Sequence, residues 1–149
     1  MSADIADALD ILGQFLSEDE HYLASSKAYG DRGAEGLRTA LGLFLERPDL
    51  GFVWLAYDEG GLAAACVICY AISTSIGGLV AKLDDVSVKT DRRGKGIGTA
   101  LLTQLKEQLR KDQVGRIDVA VHSNNPEARR FYERLSFQAL NEERLACLL

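Results

Sequence analysis

Arg92-Arg93-Gly94-Lys95-Gly96-Ile97-Gly98-Thr99 is the stretch on which the fold turns. Before it, Leu79 to Val88 reads as a strand whose apolar run is interrupted by Asp84 and Asp85. After it, Ile97, Leu101, Leu102, Leu105 and Leu109 recur at helical spacing. A glycine-rich turn between a strand and a helix can bring backbone N–H groups close to an anion at the positive end of the helix dipole. Arg92, Arg93 and Lys95 add full positive charges. The plainer reading is a tight loop that needs positive φ, and the glycines alone do not choose between the two.

Two phosphate-binding patterns fail here. Gly94-Lys95 is followed by Gly96, not by the Ser or Thr that completes the G-K-[ST] ending of a P-loop. The dinucleotide pattern G-x-G-x-x-G/A needs a small residue where Thr99 or Leu101 stands.

Working outward, the spacing of Ile5, Ala8, Leu9, Leu12, Phe15 and Leu16 predicts a helix over residues 4–17. Glu18, Asp19, Glu20 and His21 follow it, then a polar loop over 22–33. Leu37, Ala40, Leu41, Phe44 and Leu45 mark a second helix that Pro48 stops. The period then changes to that of strands: Phe52 to Tyr57, a turn at Asp58-Glu59-Gly60-Gly61, Leu62 to Ile72, a turn at Ser73 to Gly78, then Leu79 to Val88. Beyond the glycine turn and its helix, Ile117, Val119 and Val121 alternate as a strand. Asn125-Pro126-Glu127 opens a last helix with Ala128, Phe131, Tyr132 and Leu135 on one face. Short strands near Phe137–Leu140 and Arg144–Leu148 are expected to close the chain. This order predicts an α+β domain spanning 1–149. Its mixed, mostly antiparallel sheet needs one parallel pair for the strand–helix–strand crossover.

The chain has 149 residues, 47% hydrophobic and 26% charged, which suits one globular domain. No apolar run is long enough for a membrane span, and the acidic start (Asp4, Asp7, Asp10) lacks the basic region of a signal peptide, so the cytoplasm is expected. Three cysteines argue against a disulfide framework. Cys66 and Cys69 stand three apart in a strand, on opposite faces, which disfavours a shared metal site. Residues 1–88 carry 14 acids against 5 bases, and residues 89–149 carry 8 acids against 12 bases. An anionic ligand would favour the second part and a cationic one the first.

Arg93, Gly96 and Gly98, in the pattern R-x-x-G-x-G after Asp-Asp-Val-Ser-Val, resemble the acetyl-CoA motif of the GCN5-related N-acetyltransferases. Val121 to Phe137 resembles that family's following motif. The resemblance implies the family's fold, with the parallel strand pair splayed at the acetyl-CoA site and no metal. It implies that backbone groups of Val86 and Val88 bond the pantetheine arm. The backbone of Arg93, Gly94, Lys95, Gly96, Ile97, Gly98 and Thr99 would hold the pyrophosphate. Asn125 would contact the cofactor, and Tyr132 would protonate the leaving thiolate. More weakly, Asp84 and Asp85 are similar to acids that meet cationic substrates in the spermidine/spermine and aminoglycoside branches.

The expected activity is acetyl transfer from acetyl-CoA to a primary amine, a small cationic one, with no nucleic acid or membrane partner. A protein lysine or amino terminus as acceptor, a non-catalytic acetyl-CoA-binding module, and a homodimer all stay open. An alkyl amine arrives protonated, so an acid such as Asp84 or Asp85 must bind it and take its proton. On a regular strand these two face opposite ways unless a bulge intervenes. Two departures from the family are visible: only Met1 to Ala3 precede the first helix, and Ser136 stands where a glycine is usual, which points to a turn that is strained or different in shape.

Overall fold

The computed structural model describes residues 3–18 and 31–149. Helices α1 (Ala3–Glu18) and α2 (Gly33–Glu46) come first. An antiparallel meander follows: β1 (Gly51–Asp58), β2 (Gly61–Ser73) and β3 (Gly78–Val88). A single 3-10 turn, Thr90–Arg92, leads to α3 (Ile97–Lys111), β4 (Ile117–Val119) and α4 (Pro126–Arg134). The sheet order is β1-β2-β3-β4, with β4 parallel to β3 and the other pairs antiparallel. The expected helices, meander and parallel pair are therefore all present. No helix among the described residues is long and apolar enough to cross a membrane.

The sheet is covered on both faces, and β2 shows why its sequence is apolar throughout. Ala64, Cys66 and Ile68 turn to α3, packing with Ala81, Leu83, Leu101, Leu102, Leu105 and Leu109. Ala65 and Val67 turn to the other face, where Ala8, Ile11, Leu12 and Leu41 of α1 and α2 meet them. Ala8, Ile11 and Leu12 are spaced by three and four, so one stripe of α1 supplies the contact.

The β2–β3 register slips once. Val67 pairs with Asp85 but Ile68 pairs with Leu83, so Asp84 is an extra residue in β3. The pairing with β4 ends at the same place, running from Ala81–Ile117 to Leu83–Val119 and no further. The two strands part at the bulge.

Two expectations near the end of the chain are corrected. Val121 lies beyond β4, which stops at Val119. Residues 137–149 form no strand. Their leucines at 140, 145, 148 and 149 do not alternate and are all exposed, so the segment has no apolar face packed on the sheet.

Candidate active site

The bulge decides which groups of β3 are available. Lys89 N–H donates to Ala63 O at 2.8 Å, so the hydrogen-bonding positions of this stretch are Lys89, Ser87 and Asp85, partnered with Ala63, Ala65 and Val67. Val86 and Val88 therefore turn their N–H and C=O groups away from β2, toward the side that β4 has left. Before the bulge the phase is opposite: Ala81 N–H donates to Arg116 O at 2.8 Å on the β4 side. The Val86 and Val88 side chains pack on the α3 face, as do Ala81 and Leu83.

The same slip brings the two acids together. The cross-strand partner of Asp85 is Val67, which faces α1 and α2. Asp84 reaches Lys82 Nζ at 2.9 Å and accepts from Cys69 Sγ at 3.3 Å, and Lys82 pairs with Cys69 on that same face. Asp84 and Asp85 do not face opposite ways. They differ in surroundings instead. Burial, then the charge of Asp84, pushes Asp85 up to about 6, with Lys82 opposing. Burial and neighbouring Asp84 push the Cys69 thiol up to about 11. Asp84 is held in an ion pair with Lys82, whereas burial dominates the surroundings of Asp85.

At the glycine turn, Gly94 and Gly96 have φ 75° and 76°, the left-handed region that favours glycine. Gly96 is the N-cap of α3, with no side-chain cap bond and no acid in the first turn. Its carbonyl accepts from Ala100 N–H at 3.0 Å, so the N–H groups of Ile97, Gly98 and Thr99 precede the first intrahelical bond. Arg93, Gly94, Lys95, Gly96 and Thr99 are exposed. Gly98 is small for a packing reason: a Cβ there would stand 3.3 Å from Phe131 Cζ. Arg93 Nε donates to Val88 O at 3.2 Å, tying the turn to the end of β3. Arg92 does not add its charge to an anion site as expected, because Asp58 and Asp91 hold its guanidinium.

Tyr132 is held from three sides. Asn125 caps α4 by accepting from Ala128 N–H at 3.2 Å, so its side-chain carbonyl is committed to the helix. At the other end, Phe137 N–H bonds Tyr132 O and Ser136 N–H bonds Glu133 O, both at 3.1 Å, with Ser136 at φ 71°. This is a Schellman ending, in which the residue at 136 must be left-handed. The expected strain at Ser136 is thus present. The ending lays Phe137 edge-on to Tyr132 at 5.3 Å, and Phe131 sits 5.1 Å on the other side. Lys106 Nζ donates to Leu135 O at 2.6 Å and locks the turn to α3. Burial, then the charge of Asp85, then Cys66, pushes the Tyr132 phenol up to about 12. His122 has a turn role, its Nδ1 accepting from Asn124 N–H at 3.1 Å. The acids at 19–20 and His21 lie outside the described residues.

Residues 15–137 match the sequence profile of the Acetyltransferase (GNAT) family. The chain belongs to that family. It is accordingly an N-acetyltransferase, and GNAT enzymes use acetyl-CoA as acetyl donor. Solved structures share the fold. An integron cassette protein from the mobile metagenome of Cole Harbour Salt Marsh superposes with TM-score 0.79 at 24% identity, over 98% of this chain and 85% of that one. A "possible acetyltransferase" from Clostridium difficile 630 gives 0.75 at 20%, over 100% and 95%. The ribosomal-protein-alanine N-acetyltransferase of Brucella melitensis biovar Abortus 2308 gives 0.73 at 16%, over 97% and 94%. No curated protein sequence matches the chain.

In this GNAT chain the sequence reading missed Lys82 as the partner of Asp84, Cys66 as a neighbour of Tyr132, and Lys106 as the tie behind it. The bulge had a signal: the positions facing α3 run Ala81, Leu83, Val86, Val88, a phase slip at Asp84-Asp85. A pocket of about 200 Å³ lies between β1 and α3 and borders the glycine turn at Ile97, with Ala56, Tyr57, Asp58, Ala100 and Gln104 among its other lining residues. Among the described residues no cluster of His, Cys, Asp and Glu is arranged to hold a metal.

Proposed function

We propose that this enzyme moves the acetyl group of acetyl-CoA to a small cationic amine by direct attack on the thioester. The observation that carries the reading is the open edge of β3 beyond Leu83, with Val86 and Val88 directed into it and the glycine turn at its end. The pantetheine arm lies along that edge and bonds those backbone groups. The pyrophosphate rests on the backbone from Arg93 through Gly94, Lys95, Gly96, Ile97 and Gly98 to Thr99. Asn125 lies beside the arm, with its carbonyl oriented by the cap and its amide N–H groups as donors.

Asp85 is the base. At about 6 it is ionised at neutral pH yet far more basic than an ordinary carboxylate, which suits taking a proton from an ammonium group. Asp84, offset by Lys82, adds negative charge to the acceptor's surroundings. A backbone N–H near Val88 stabilises the developing oxyanion. Tyr132 donates to the departing sulfur. A phenol at about 12 is a weaker acid than a thiol in water, which ionises near ~8.5. Burial in the same apolar cluster pushes Cys66 up as well, to about 12, so a thiolate leaving beside Tyr132 would be more basic than in water and take the proton more readily.

The acceptor's positive charge is supported by the paired acids and by the acidic balance of residues 1–88. Free Cys66, Cys69 and Cys147 are in keeping with work in the cytoplasm. The test is an amine panel assayed by thiol release from acetyl-CoA, including polyamines, aminoglycosides, neutral amines and a peptide with a free amino terminus. A cationic small amine should give the highest kcat/KM, falling as salt rises. A best acceptor that is neutral, anionic or a peptide would overturn the acceptor class.

A further inference from the structure

Arg92 lies outside the motif residues, and its side chain is only 15% exposed. Its Nε donates to Asp58 Oδ2 at 2.8 Å, its Nη2 reaches Asp58 Oδ1 at 3.3 Å, and its Nη1 donates to Asp91. Asp58 Oδ1 also accepts from Gly60 N–H at 2.8 Å, so one carboxylate closes the β1–β2 turn and grips Arg92 together. Gly60 is the floor of this contact, because a Cβ there would stand 2.1 Å from Arg92 Nη2. Arg92 N–H bonds Lys89 O at 2.8 Å, closing the 3-10 turn that delivers the chain to Arg93 and Gly94.

We infer that the Arg92–Asp58 clamp is a positioning device for acetyl-CoA. It fixes the entry to the glycine turn against the β1–β2 hairpin, so that the backbone N–H groups of residues 94–99 are aimed before the pyrophosphate arrives. Preorganised donors bind more tightly because the ordering is not charged to the binding step. The inference rests on the reading that the glycine turn holds the pyrophosphate. Arg92 itself does not touch the phosphates, since its forked donors are already taken by carboxylates.

Charge gives a sharp test. Arg92→Gln removes a positive charge and Asp58→Asn a negative one. Acting only through the field, they would move the affinity for an anionic ligand in opposite directions. A clamp moves both the same way. Calorimetry with acetyl-CoA on wild type, both variants, their double and Gly60→Ala reads the difference. Each single variant should weaken binding by roughly 3- to 10-fold, in line with a bidentate, partly buried contact. The double should be no weaker than the stronger single effect, because both act through one contact. Gly60→Ala, which displaces the guanidinium without changing either charge, should weaken binding too. In steady state the change should fall on KM for acetyl-CoA more than on kcat.

Weakened binding in Arg92→Gln with unchanged or tighter binding in Asp58→Asn would make Arg92 a direct phosphate contact and overturn the clamp. Lower thermal stability with unchanged affinity in every variant would reduce it to ordinary packing and overturn it equally. Gly96→Val is run alongside. If it binds acetyl-CoA normally, the pyrophosphate reading itself fails. If it loses binding while the clamp variants keep theirs, only the clamp fails.

Discussion

From Leu79 to Leu83, β3 has partners on both sides: β2 on one, and Gly115, Arg116 and β4 on the other. From Asp84 to Val88 it has β2 alone. The first part is core, with Ala81 and Leu83 essentially inaccessible. The second carries a raised carboxyl at Asp85, outward backbone groups at Val86 and Val88, and Tyr132 at the end of its reach. One inserted residue separates them. The comparison teaches that this site is made where pairing stops: the chemistry needs backbone groups left unpaired by a strand, and a bulge is the local means of ending the pairing.

The largest test of the open half is Tyr132→Phe, which keeps the ring between Phe131 and Phe137 and removes the proton. Turnover in the thiol-release assay should drop by roughly 10²–10⁴, with acetyl-CoA affinity little changed. Full turnover would reduce Tyr132 to packing.

Next is the contrast between the acids. Asp85→Asn should lower kcat/KM for the best amine by about 10², and Asp84→Asn by less than about tenfold. The wild-type kcat/KM should rise with pH through about 6 as Asp85 ionises, and that inflection should vanish in Asp85→Asn. Stability should move the other way. The folded value of Asp85 lies above its ordinary 3.8, so its contribution to folding is full below that value and lost as pH rises through about 6. Asp85→Asn should therefore exceed wild type in stability at pH 7 by roughly 1–3 kcal/mol and lose the advantage near pH 4, as denaturant melts would record. Equal stabilities across that range would remove the buried-base assignment.

Gly96→Val puts a β-branched side chain at φ 76°. Strain of about 1–3 kcal/mol forces the turn to move, so acetyl-CoA should bind roughly 10- to 100-fold more weakly in a protein that still folds. The smallest effect is Ser136→Gly, which relieves a left-handed serine at the Schellman ending and should raise stability by about 1 kcal/mol without moving Tyr132. A thermal melt showing destabilisation would place the strain elsewhere.

Most of this architecture is legible in the residues. The stripes of α1 and α3, the turn at Asp58–Gly61 and the Asn125-Pro126 start of α4 are local signals, and local signals survive folding. What was hidden depends on partners far away in sequence. Arg92 looked like a phosphate charge because Asp58, which takes it, is 34 residues earlier. Asp84 and Asp85 were expected on opposite faces of β3, and the bulge that puts them on one face is set by the register with Val67 and Ile68 of β2. The strands expected near 137–140 and 144–148 failed because their leucines are out of phase and stay exposed, with no face to pack on the sheet.

The most direct measurement is an acetyl-CoA titration followed at the backbone amides by NMR. The account predicts shifts at Val86, Val88 and residues 93–99, with the paired stretch Leu79–Leu83 unmoved. Shifts confined to Ala56, Tyr57, Ala100 and Gln104, in the pocket between β1 and α3, with the glycine turn and Val86 and Val88 unmoved, would contradict it.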